Sequence, residues 1–334
     1  MKKIKIAQIG TSAYSHGQSI WRTLLAHSDL FEVVGYAFPE NEREKFAWQM
    51  PDFARHREMT VEEILRDPEI EAVAVETEEL YLTKYARMVA EAGKHLHMEK
   101  PGGLDPVEFR ALVKTLKEKG LAFSTGYMYR FNPLICEALA RIERGELGRI
   151  YAVEAHMGGK HPADLRDWLG GFPGGMTFFL GCHLIDLVYR IQGEPQEVIP
   201  LTCSTGIDGN TVGDYGMVVF RYPNGVSFIK VCDEEPGGFR RRQLVICGER
   251  GTIEICPLEL STCGDRQYSV ARECFDTAWQ APWQERQSEE FGRYDAMIEN
   301  FAELVRGKEN PYTYDYELGL YELIMKSCEG RKEG

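Results

Sequence analysis

A lysine directly follows a short apolar run near the end of the first third of the chain, at Glu99-Lys100-Pro101. The run His95–Glu99 is predicted to be a strand of a parallel sheet, which would place Lys100 where such sheets open a ligand crevice. A cationic amine there can stabilise a developing alkoxide, and a desolvated lysine can exchange a proton near neutral pH. From position alone, a solvated lysine before a proline turn is an equal alternative. Pro101 fixes the chain direction and would hold Lys100 in place.

A histidine on the predicted helix Met176–Ile191 is a second side chain suited to proton transfer. Because imidazole exchanges protons near neutral pH, His183 is a candidate acid or base. Leucines recur around it at helical spacing, so a buried structural histidine is the competing interpretation. Asp186 follows one turn later, where it would either orient the imidazole or bind a backbone group.

Polar and aromatic residues cluster just before this helix. Loops beside a cleft commonly contact substrate. Trp168 would either stack on the apolar face of a ligand or pack in the core. His156 and His161 are metal-ligand types, but no third ligand stands at a recognisable spacing, so no metal is predicted. The cluster comprises His156, Lys160, His161, Asp164, Arg166, Asp167 and Trp168.

Two patterns of secondary structure carry these residues. Up to Gly126, strand-like runs alternate with helices, which predicts βαβ units and a doubly wound parallel sheet. The later strand-like runs are joined by turns, which predicts a large, open, mainly antiparallel sheet. The predicted fold class is α/β, with a Rossmann domain at 1–126 and an α+β domain for substrate binding and oligomerisation at 127–334. The first five predicted strands are Lys3–Ile9, Phe31–Phe38, Ile70–Thr77, His95–Glu99 and Ala122–Tyr127.

The first strand-to-helix turn reads Gly10-Thr11-Ser12-Ala13-Tyr14-Ser15-His16-Gly17. A dinucleotide-binding turn usually has three glycines, for a tight turn, a close approach of the backbone to pyrophosphate and helix–strand packing. Only Gly10 is in register, whereas Ser12 and Ser15 occupy the other two positions. Serine is small and its hydroxyl can donate to phosphate, so Gly10, Ser12, Ala13 and Tyr14 are expected to bind the cofactor. An ordinary glycine-containing turn is the alternative.

The end of the second strand normally carries an acidic residue for the adenosine ribose. Phe38 occupies that position, and Glu40 follows two residues later. No arginine or lysine adjoins Phe38 to receive a 2′-phosphate. The sequence therefore favours NAD as the cofactor, with NADP as the alternative.

Several separate motifs agree in order and spacing with one enzyme family. Glu99-Lys100-Pro101, preceded by Glu91-Ala92-Gly93-Lys94-His95, resembles the glucose–fructose oxidoreductase/inositol dehydrogenase/MocA (Gfo/Idh/MocA) family. Further matches are Tyr129-Arg130-Phe131-Asn132-Pro133 entering the second domain, Gly145-Glu146-Leu147-Gly148-Arg149-Ile150 at the next turn, Gly174-Gly175 with Gly181-Cys182-His183-Leu184-Ile185-Asp186 on the catalytic helix, and Asp315–Cys328 at the end. The resemblance spans nearly the whole chain.

The resemblance implies an NAD(P)-dependent oxidoreductase that moves hydride between nicotinamide and a carbinol carbon of a sugar, cyclitol or derivative. In the family, the lysine of Glu-Lys-Pro contacts the reacting hydroxyl and the nicotinamide region, and the histidine after the glycine pair acts as acid or base. Lys100 and His183 match these positions, and Phe38, Thr77 and Glu99 are expected near the cofactor. The expected substrate contacts are Tyr129, Arg130, His156, Trp168, Phe179 and Asp186.

The chain also departs from the family pattern, which marks it as an outlying member. Phe179 stands four residues before His183, where the family usually has an aspartate, and phenylalanine can neither accept a proton nor steer an imidazole. Leu82 replaces a histidine often found after the third strand, and Glu78 replaces the usual proline. Two alternatives therefore stay open: redox-assisted cleavage of glycosides with tightly bound NAD, and a non-catalytic sugar or nucleotide sensor. Retention of both Lys100 and His183 argues against the sensor.

Composition excludes several other classes of protein. The 334 residues include 39 lysines and arginines against 52 acidic residues, a formal net charge of −13, whereas a duplex-DNA binder needs a broad positive surface. No stretch approaches the roughly 20 apolar residues of a membrane span. The nine cysteines are scattered, as in reduced cytoplasmic proteins. We expect a cytoplasmic enzyme with a sugar-like substrate, no nucleic-acid or membrane partner, and assembly into homodimers or homotetramers through the open sheet.

Overall fold

The computed structural model describes residues 2–329, which divide into two compact units. Among these residues, unit 1 holds the chain up to Met128 together with Tyr294–Tyr321, and unit 2 holds Tyr129–Arg293 and the residues from Glu322 onward. The expected division had one boundary, after residue 126. The structure differs from this expectation mainly because Tyr294–Tyr321 belongs to unit 1, in which its apolar side chains are buried.

A parallel sheet forms the centre of unit 1. Its strands are β1 Ile4–Ile9, β2 Phe31–Ala37, β3 Ala72–Val75, β4 His95–Met98 and β5 Phe123–Thr125. They are arranged in the order β2-β1-β3-β4-β5, and every neighbouring pair is parallel. The order reverses between β1 and β3, and ligands of open α/β sheets bind at such a switch point. The prediction of a Rossmann-type parallel sheet is confirmed.

The helices of unit 1 begin and end where local sequence dictates. Thr60 and Glu63 form the reciprocal capping box of one helix. The Asp105 side chain accepts N–H groups at the start of another, Pro106 takes its first position, and Gly120 ends it with φ of +63°. The helices before Met128 are α1 Gly17–Ala26, α2 Glu42–Lys45, α3 Met50–Phe53, α4 Val61–Arg66, α5 Glu79–Glu91 and α6 Pro106–Lys119.

Unit 2 is built on an eight-stranded sheet. Its strands, with those of a small three-stranded sheet, are β6 Ile150–Gly158, β7 Glu197–Cys203, β8 Tyr215–Tyr222, β9 Gly225–Cys232, β10 Gln243–Gly248, β11 Thr252–Ile255, β12 Leu260–Cys263, β13 Arg266–Tyr268, β14 Val270–Cys274, β15 Gln284–Gln287 and β16 Phe291–Gly292. The large sheet has the order β15-β14-β11-β10-β6-β9-β8-β7, and β12-β13-β16 form the small one. Within the described chain, β6 and β9 are the parallel pair and the other pairs are antiparallel, which confirms the predicted mainly antiparallel sheet.

One long helical segment packs on this sheet. Its first turn, Thr177–Gly181, is π-helical, and it continues as an α-helix that contacts β6 and β9. Such widened turns are frequent at functional sites. The helices of unit 2 are α7 Pro133–Glu143, α8 Ala163–Leu169 and α9 Cys182–Gln192. The short α8 lies within the predicted polar cluster, where the sequence showed no helical pattern.

The last two helices of the described residues are α10 Asp295–Val305 and α11 Tyr314–Cys328. α10 packs against α1 and β5 of unit 1. No helix within residues 2–329 is long and apolar enough to cross a membrane.

Candidate active site

In the turn after β1, Gly10 is kept and serines stand at the two other positions where a dinucleotide-binding turn usually has glycine. Gly10 has φ of +88°, and a Cβ atom there would lie 2.3–2.7 Å from atoms of Thr77, so only glycine fits. Ser12 Oγ accepts the backbone N–H groups of Tyr14 at 3.3 Å and Ser15 at 2.8 Å. The Ser12 hydroxyl thereby shapes the turn, and its own proton can still be donated to a ligand oxygen.

A cavity of about 510 Å³ opens at the carboxyl end of β2. Phe38, expected beside the adenosine ribose, lines it, as does Lys84 from α5. The Lys84 amine donates to Glu40 Oε1 at 2.6 Å, and the Tyr85 hydroxyl donates to the same oxygen at 2.8 Å. Lys84 could not be predicted from the sequence around Phe38, because it lies on a helix distant in the chain. The remaining lining residues are Ala37, Pro39, Glu58, Met59, Thr60, Val61, Glu62, Tyr85 and Met88.

These features fit a dinucleotide cofactor. Because Gly10 has no side chain, the backbone of this turn is open at the switch point of the sheet. A pyrophosphate requires such a close approach to the backbone. The cavity beside Phe38 offers apolar and hydrogen-bonding walls for an adenosine. Unit 1 therefore has a place for both the phosphate and the adenosine parts.

Lys100 is buried at the end of β4, with only 1% of its surface exposed. This excludes the alternative of a solvated lysine. Its Nζ lies 3.9 Å from Glu99 Oε1. The second oxygen of Glu99 accepts from the backbone N–H of His16 at 3.0 Å and lies 2.9 Å from His16 Nδ1. Glu99 thus ties the phosphate loop to the strand end that carries Lys100.

The charge state of Glu99 follows from these contacts. Burial raises the pKa of the Glu99 carboxyl, but His16 and Lys100 outweigh burial and lower the pKa well below its ordinary value. Glu99 is therefore an anion throughout the neutral range. A buried carboxylate next to the Lys100 amine offsets the cost of burying that amine.

Two further glutamates are buried at the same edge of the sheet, and neither was predicted from the sequence. Glu76 follows β3, and Glu79 opens α5. Burial and the nearby Glu99 carboxylate raise the pKa of Glu76 well above its ordinary value. Burial raises the pKa of Glu79 to about 8, even though Lys100 opposes the change. Glu79 is therefore mainly a neutral acid at pH 7, and burial changes the pKa of Glu76 in the same direction, so Lys100 is near several acids of which Glu99 is ionised.

In unit 2, His183 lies on the first turn of α9 and is buried, at 2% exposure. The ring of Tyr129 meets the imidazole edge-on, with centroids 5.4 Å apart. Asp186 forms a two-point ion pair with Arg130, with distances of 2.8 Å from Nη2 to Oδ1 and 3.0 Å from Nε to Oδ2. This partner was not foreseen, since the sequence offered His183 or a backbone group. Arg130 and Asp186 are both buried, and their ion pair joins α9 to the segment around residue 130 at the start of unit 2.

Tyr129 belongs to a buried polar network. Its hydroxyl donates to Glu259 Oε1 at 2.5 Å, and the same carboxylate binds Arg242 at 3.0 Å and Arg293 at 2.7 Å. Burial raises the pKa of Glu259, but Arg293 and Arg242 outweigh burial and lower it to about 2. Glu259 is therefore ionised and fixes the Tyr129 hydroxyl. The substrate contact expected of Tyr129 stays a prediction.

The polar cluster before the helix is paired with an acidic run that was not predicted from the sequence. Asp233, Glu234 and Glu235 directly follow β9, and they meet the cluster because β6 and β9 are parallel and end at the same edge. His156 Nε2 lies 2.7 Å from Glu235 Oε2. The other pairs are His161 with Asp233, Lys160 and Arg166 with Glu234, and Arg241 with Glu235. Within residues 2–329, no group of three metal-ligating side chains is arranged to hold a metal ion.

Trp168 and Phe179 form an aromatic contact in unit 2. Their ring centroids are 5.3 Å apart and nearly perpendicular, and Trp168 also meets Phe172 at 4.4 Å. Phe179, which replaces the aspartate of the family pattern, is 8% exposed. An aromatic cluster therefore occupies the position from which that aspartate would act, and Trp168 retains partial exposure.

The comparisons with known proteins agree with this architecture. Residues 4–127 match an oxidoreductase family with an NAD-binding Rossmann fold, and residues 135–254 match the GFO/IDH/MocA C-terminal domain. The uncharacterized oxidoreductase YhhX of Escherichia coli K12 is 31% identical over 144 residues, which cover 43% of this chain and 41% of that protein. The scyllo-inositol 2-dehydrogenase (NAD+) of Bacillus subtilis 168 is 32% identical over 126 residues, covering 37% and 35%. The chain thus spans less than half the length of these two relatives.

Similar folds are also known at full length. A solved structure of levoglucosan dehydrogenase, in complex with NADH and levoglucosan, has a TM-score of 0.78 at 19% identity. The match covers 98% of this chain and 97% of that one. At this identity the likeness establishes the fold, for unit 1 and unit 2 alike.

Proposed function

The chain belongs to the Gfo/Idh/MocA family of oxidoreductases, whose N-terminal domain is an NAD-binding Rossmann fold, and we propose that it oxidises a carbinol carbon of a sugar, cyclitol or derivative. The observation that carries this proposal is the buried Lys100 at the end of β4, beside the ionised Glu99. A desolvated amine is strongly attractive to a developing alkoxide, because little solvent screens the two charges. When bound, the cofactor supplies a nicotinamide that accepts or returns hydride.

Each predicted residue has a role in this proposal. Lys100 donates a hydrogen bond to the reacting hydroxyl and stabilises negative charge on its oxygen. His183 is the imidazole that the family resemblance assigns to proton exchange. The cofactor is held by Gly10, Ser12, Ala13, Tyr14, Phe38, Thr77 and Glu99, the last through its hold on the phosphate loop.

The proposed substrate is a ring with several hydroxyl groups. Two of the similar proteins are named for scyllo-inositol and levoglucosan, which both fit this class. Trp168 offers an aromatic face to the apolar side of such a ring, with Tyr129, Arg130, His156, Phe179 and Asp186 as the further proposed contacts.

We also propose a cytoplasmic homodimer or homotetramer formed through the large sheet, on which Tyr151, Leu201 and Val226 expose apolar side chains.

A panel of sugars and cyclitols with each cofactor tests this function. We expect at least one of them to reduce NAD, followed as the rise in absorbance of the reduced nicotinamide. Calorimetry that detects binding of neither NAD nor NADP would contradict the proposal. Release of an aglycone from aryl glycosides without net NADH would replace it with redox-assisted glycoside cleavage, in which the cofactor is reduced and re-oxidised in each cycle.

The charges around the adenosine cavity favour NAD over NADP. A 2′-phosphate needs free cations, but the Lys84 amine is bound to Glu40, and Arg43 is bound to Glu58. We expect NADH to bind the wild-type protein more tightly than NADPH. Glu40→Gln releases Lys84 and should improve NADPH binding relative to NADH by about tenfold, or about 1.4 kcal/mol.

Fluorescence titration of both reduced cofactors measures this ratio. Glu44→Gln is the matched control, because Glu44 is an exposed glutamate on the neighbouring helix α2. Lys84→Met should cancel the gain when combined with Glu40→Gln. An unchanged ratio in Glu40→Gln would show that this corner of the cavity does not contact the 2′ position.

A further inference from the structure

Two buried side chains from the segment after β2 bind the phosphate loop, residues 10–17, from inside unit 1. One of them is Gln49, which is 4% exposed and whose Nε2 donates to the carbonyl of Ser12 at 2.8 Å. The Thr11 hydroxyl donates to Oε1 of the same amide. Both ends of the Gln49 amide are therefore used, and both of its partners belong to the loop.

The other side chain is Glu42, the first residue of α2. It is completely buried, although Asn41 and Arg43 on either side of it are exposed. Glu42 Oε2 accepts the backbone N–H of Thr11 at 3.3 Å. Thr11 is thus bound at its N–H by this carboxyl and at its hydroxyl by the amide of Gln49.

An uncommon backbone turn precedes Glu42. Glu40 and Asn41 both have left-handed φ, of +57° and +59°, and the Glu42 N–H donates to the Pro39 carbonyl at 3.1 Å. Few residues other than glycine adopt this conformation, and it persists where the surrounding structure holds it. Because β1 and β2 are parallel and end at the same edge of the sheet, the turn brings the start of α2 to the loop that follows β1.

The contact of Gln49 sets the direction of one peptide unit of the loop. Carbonyl and N–H point in opposite directions across a trans peptide, so a Ser12 carbonyl bound to Gln49 directs the Ala13 N–H away from Gln49. Within residues 2–329, the Ala13 N–H donates to no protein group. Backbone N–H groups at the start of a helix bind the phosphates of a dinucleotide, so the Ala13 N–H is available to a pyrophosphate.

The contact of Glu42 fixes an earlier peptide unit of the loop in the same way. Gln8 Nε2 donates to the Gly10 carbonyl at 3.0 Å, and the Thr11 N–H of the same peptide unit donates to Glu42. The peptide units before Thr11 and after Ser12 are therefore both held by buried side chains. With serine at two of the three usual glycine positions, these hydrogen bonds give the loop its shape before a ligand binds, which lowers the entropic cost of binding.

We propose that Gln49 and Glu42 are positioning residues for the dinucleotide, which orient the peptide units of the phosphate loop so that the Ala13 N–H faces the pyrophosphate. The inference rests on the proposed place of the cofactor on this loop. Neither side chain needs to touch the cofactor, because each acts through the backbone that it binds.

The position of Glu42 behind the loop also makes cofactor binding depend on pH. Burial raises the pKa of the Glu42 carboxyl to about 9, although the Thr11 N–H opposes this change. The charged groups that act on it, Lys45 and Glu78, form an ion pair with each other at 2.9 Å. A pyrophosphate is an anion, so it binds more tightly when this carboxyl is neutral. Affinity is therefore complete near neutral pH and decreases as the pH rises through about 9.

Fluorescence titrations with NADH at pH 7 and pH 10 test both residues. Gln49→Leu should weaken NADH binding about tenfold at pH 7, because leucine has a similar volume but leaves the Ser12 carbonyl and the Thr11 hydroxyl without their partner. The wild-type protein should lose about tenfold in NADH affinity between pH 7 and pH 10. Glu42→Gln, which keeps an acceptor for the loop and cannot ionise, should bind within about twofold of the wild type at pH 7 and lack this loss.

Gln267→Leu and Glu44→Gln are the matched controls, because Gln267 is buried in unit 2 and Glu44 is exposed on α2. Both should bind NADH as the wild type does, with the same loss at pH 10. A folded Gln49→Leu with wild-type NADH affinity overturns the proposal, and so does an undiminished alkaline loss in Glu42→Gln. If Gln49→Leu does not fold, the pH dependence of Glu42→Gln decides.

Hydrogen–deuterium exchange of the cofactor-free protein gives a measurement that does not depend on binding. The amides of residues 10–17 should exchange faster in Gln49→Leu than in the wild type, and at the wild-type rate in Gln267→Leu. If the wild-type protein binds neither NADH nor NADPH, the proposed function fails, and the exchange still decides whether Gln49 holds the loop. Equal exchange of this segment in Gln49→Leu and the wild type overturns the proposal, whether or not NADH binds.

Discussion

Lys100→Met lowers kcat about 10²–10³-fold, the effect of removing one donor aimed at a developing oxyanion. Methionine keeps the length of the side chain and loses the ammonium, so the alkoxide loses its charge partner in a site where solvent cannot replace it. The amine is 1% exposed, which makes the lost interaction stronger than it would be in water. The apparent affinity for NADH should change less than kcat, because the adenosine cavity lies at the end of a different strand, β2.

Lys94→Met separates this effect from the general cost of removing a buried lysine. The Lys94 amine is also buried in unit 1, and it donates to the backbone carbonyls of Asp67 and Ile70 at 2.7 and 2.8 Å. We expect this control to lower the melting temperature while the folded protein retains its kcat. Steady-state kinetics, NADH titration and thermal melts of both variants measure the three quantities. More than a tenth of wild-type kcat in Lys100→Met would remove the lysine from the proposed chemistry.

The fold was largely predictable because its signals are local. Alternating strands and helices up to residue 126 predicted the parallel sheet, and the motif around Lys100 placed the lysine at the end of β4, where it lies. The return of Tyr294–Tyr321 to unit 1 was not predictable, since an amphipathic helix shows that it has a buried face but not against what it packs. The helix α8 was also missed, because seven residues are too few to show a period.

The site was predictable only in part, for a different physical reason. A sequence shows which side chains are titratable, but their partners and burial depend on segments far away in the chain. Asp186 looked like a partner for its own helix and instead binds Arg130. Ser12 was expected only to donate its hydroxyl to a phosphate, and its oxygen also accepts the N–H groups that shape the turn. Asp233 gave no signal until the parallel pairing of β6 with β9 brought it to the segment that carries His161.

Burial of Glu79 makes the stability of the protein depend on pH, which an exposed glutamate would not do. The ordinary pKa of Glu79 is 4.5, and burial raises it to about 8 in the folded protein. Folding therefore takes up a proton above pH 4.5, so the contribution of this group to stability is complete in acid and is lost as the pH rises toward 8. For a single group with these two values, the loss between pH 5 and pH 8 is about 3 kcal/mol.

Glu79→Gln removes this dependence, because glutamine has the same shape and needs no proton to be buried. We expect the variant to match the wild-type protein at pH 5 and to be more stable at pH 8, by up to about 3 kcal/mol. Urea unfolding followed by tryptophan fluorescence at both pH values measures the difference, and Glu44→Gln, an exposed glutamate of the same unit, should leave it unchanged. Equal stability of variant and wild type at pH 8 would mean that Glu79 is ionised in the folded protein and interacts with Lys100. In that case Lys100 would face two carboxylates, Glu79 and Glu99, and its ammonium would be less available to an alkoxide.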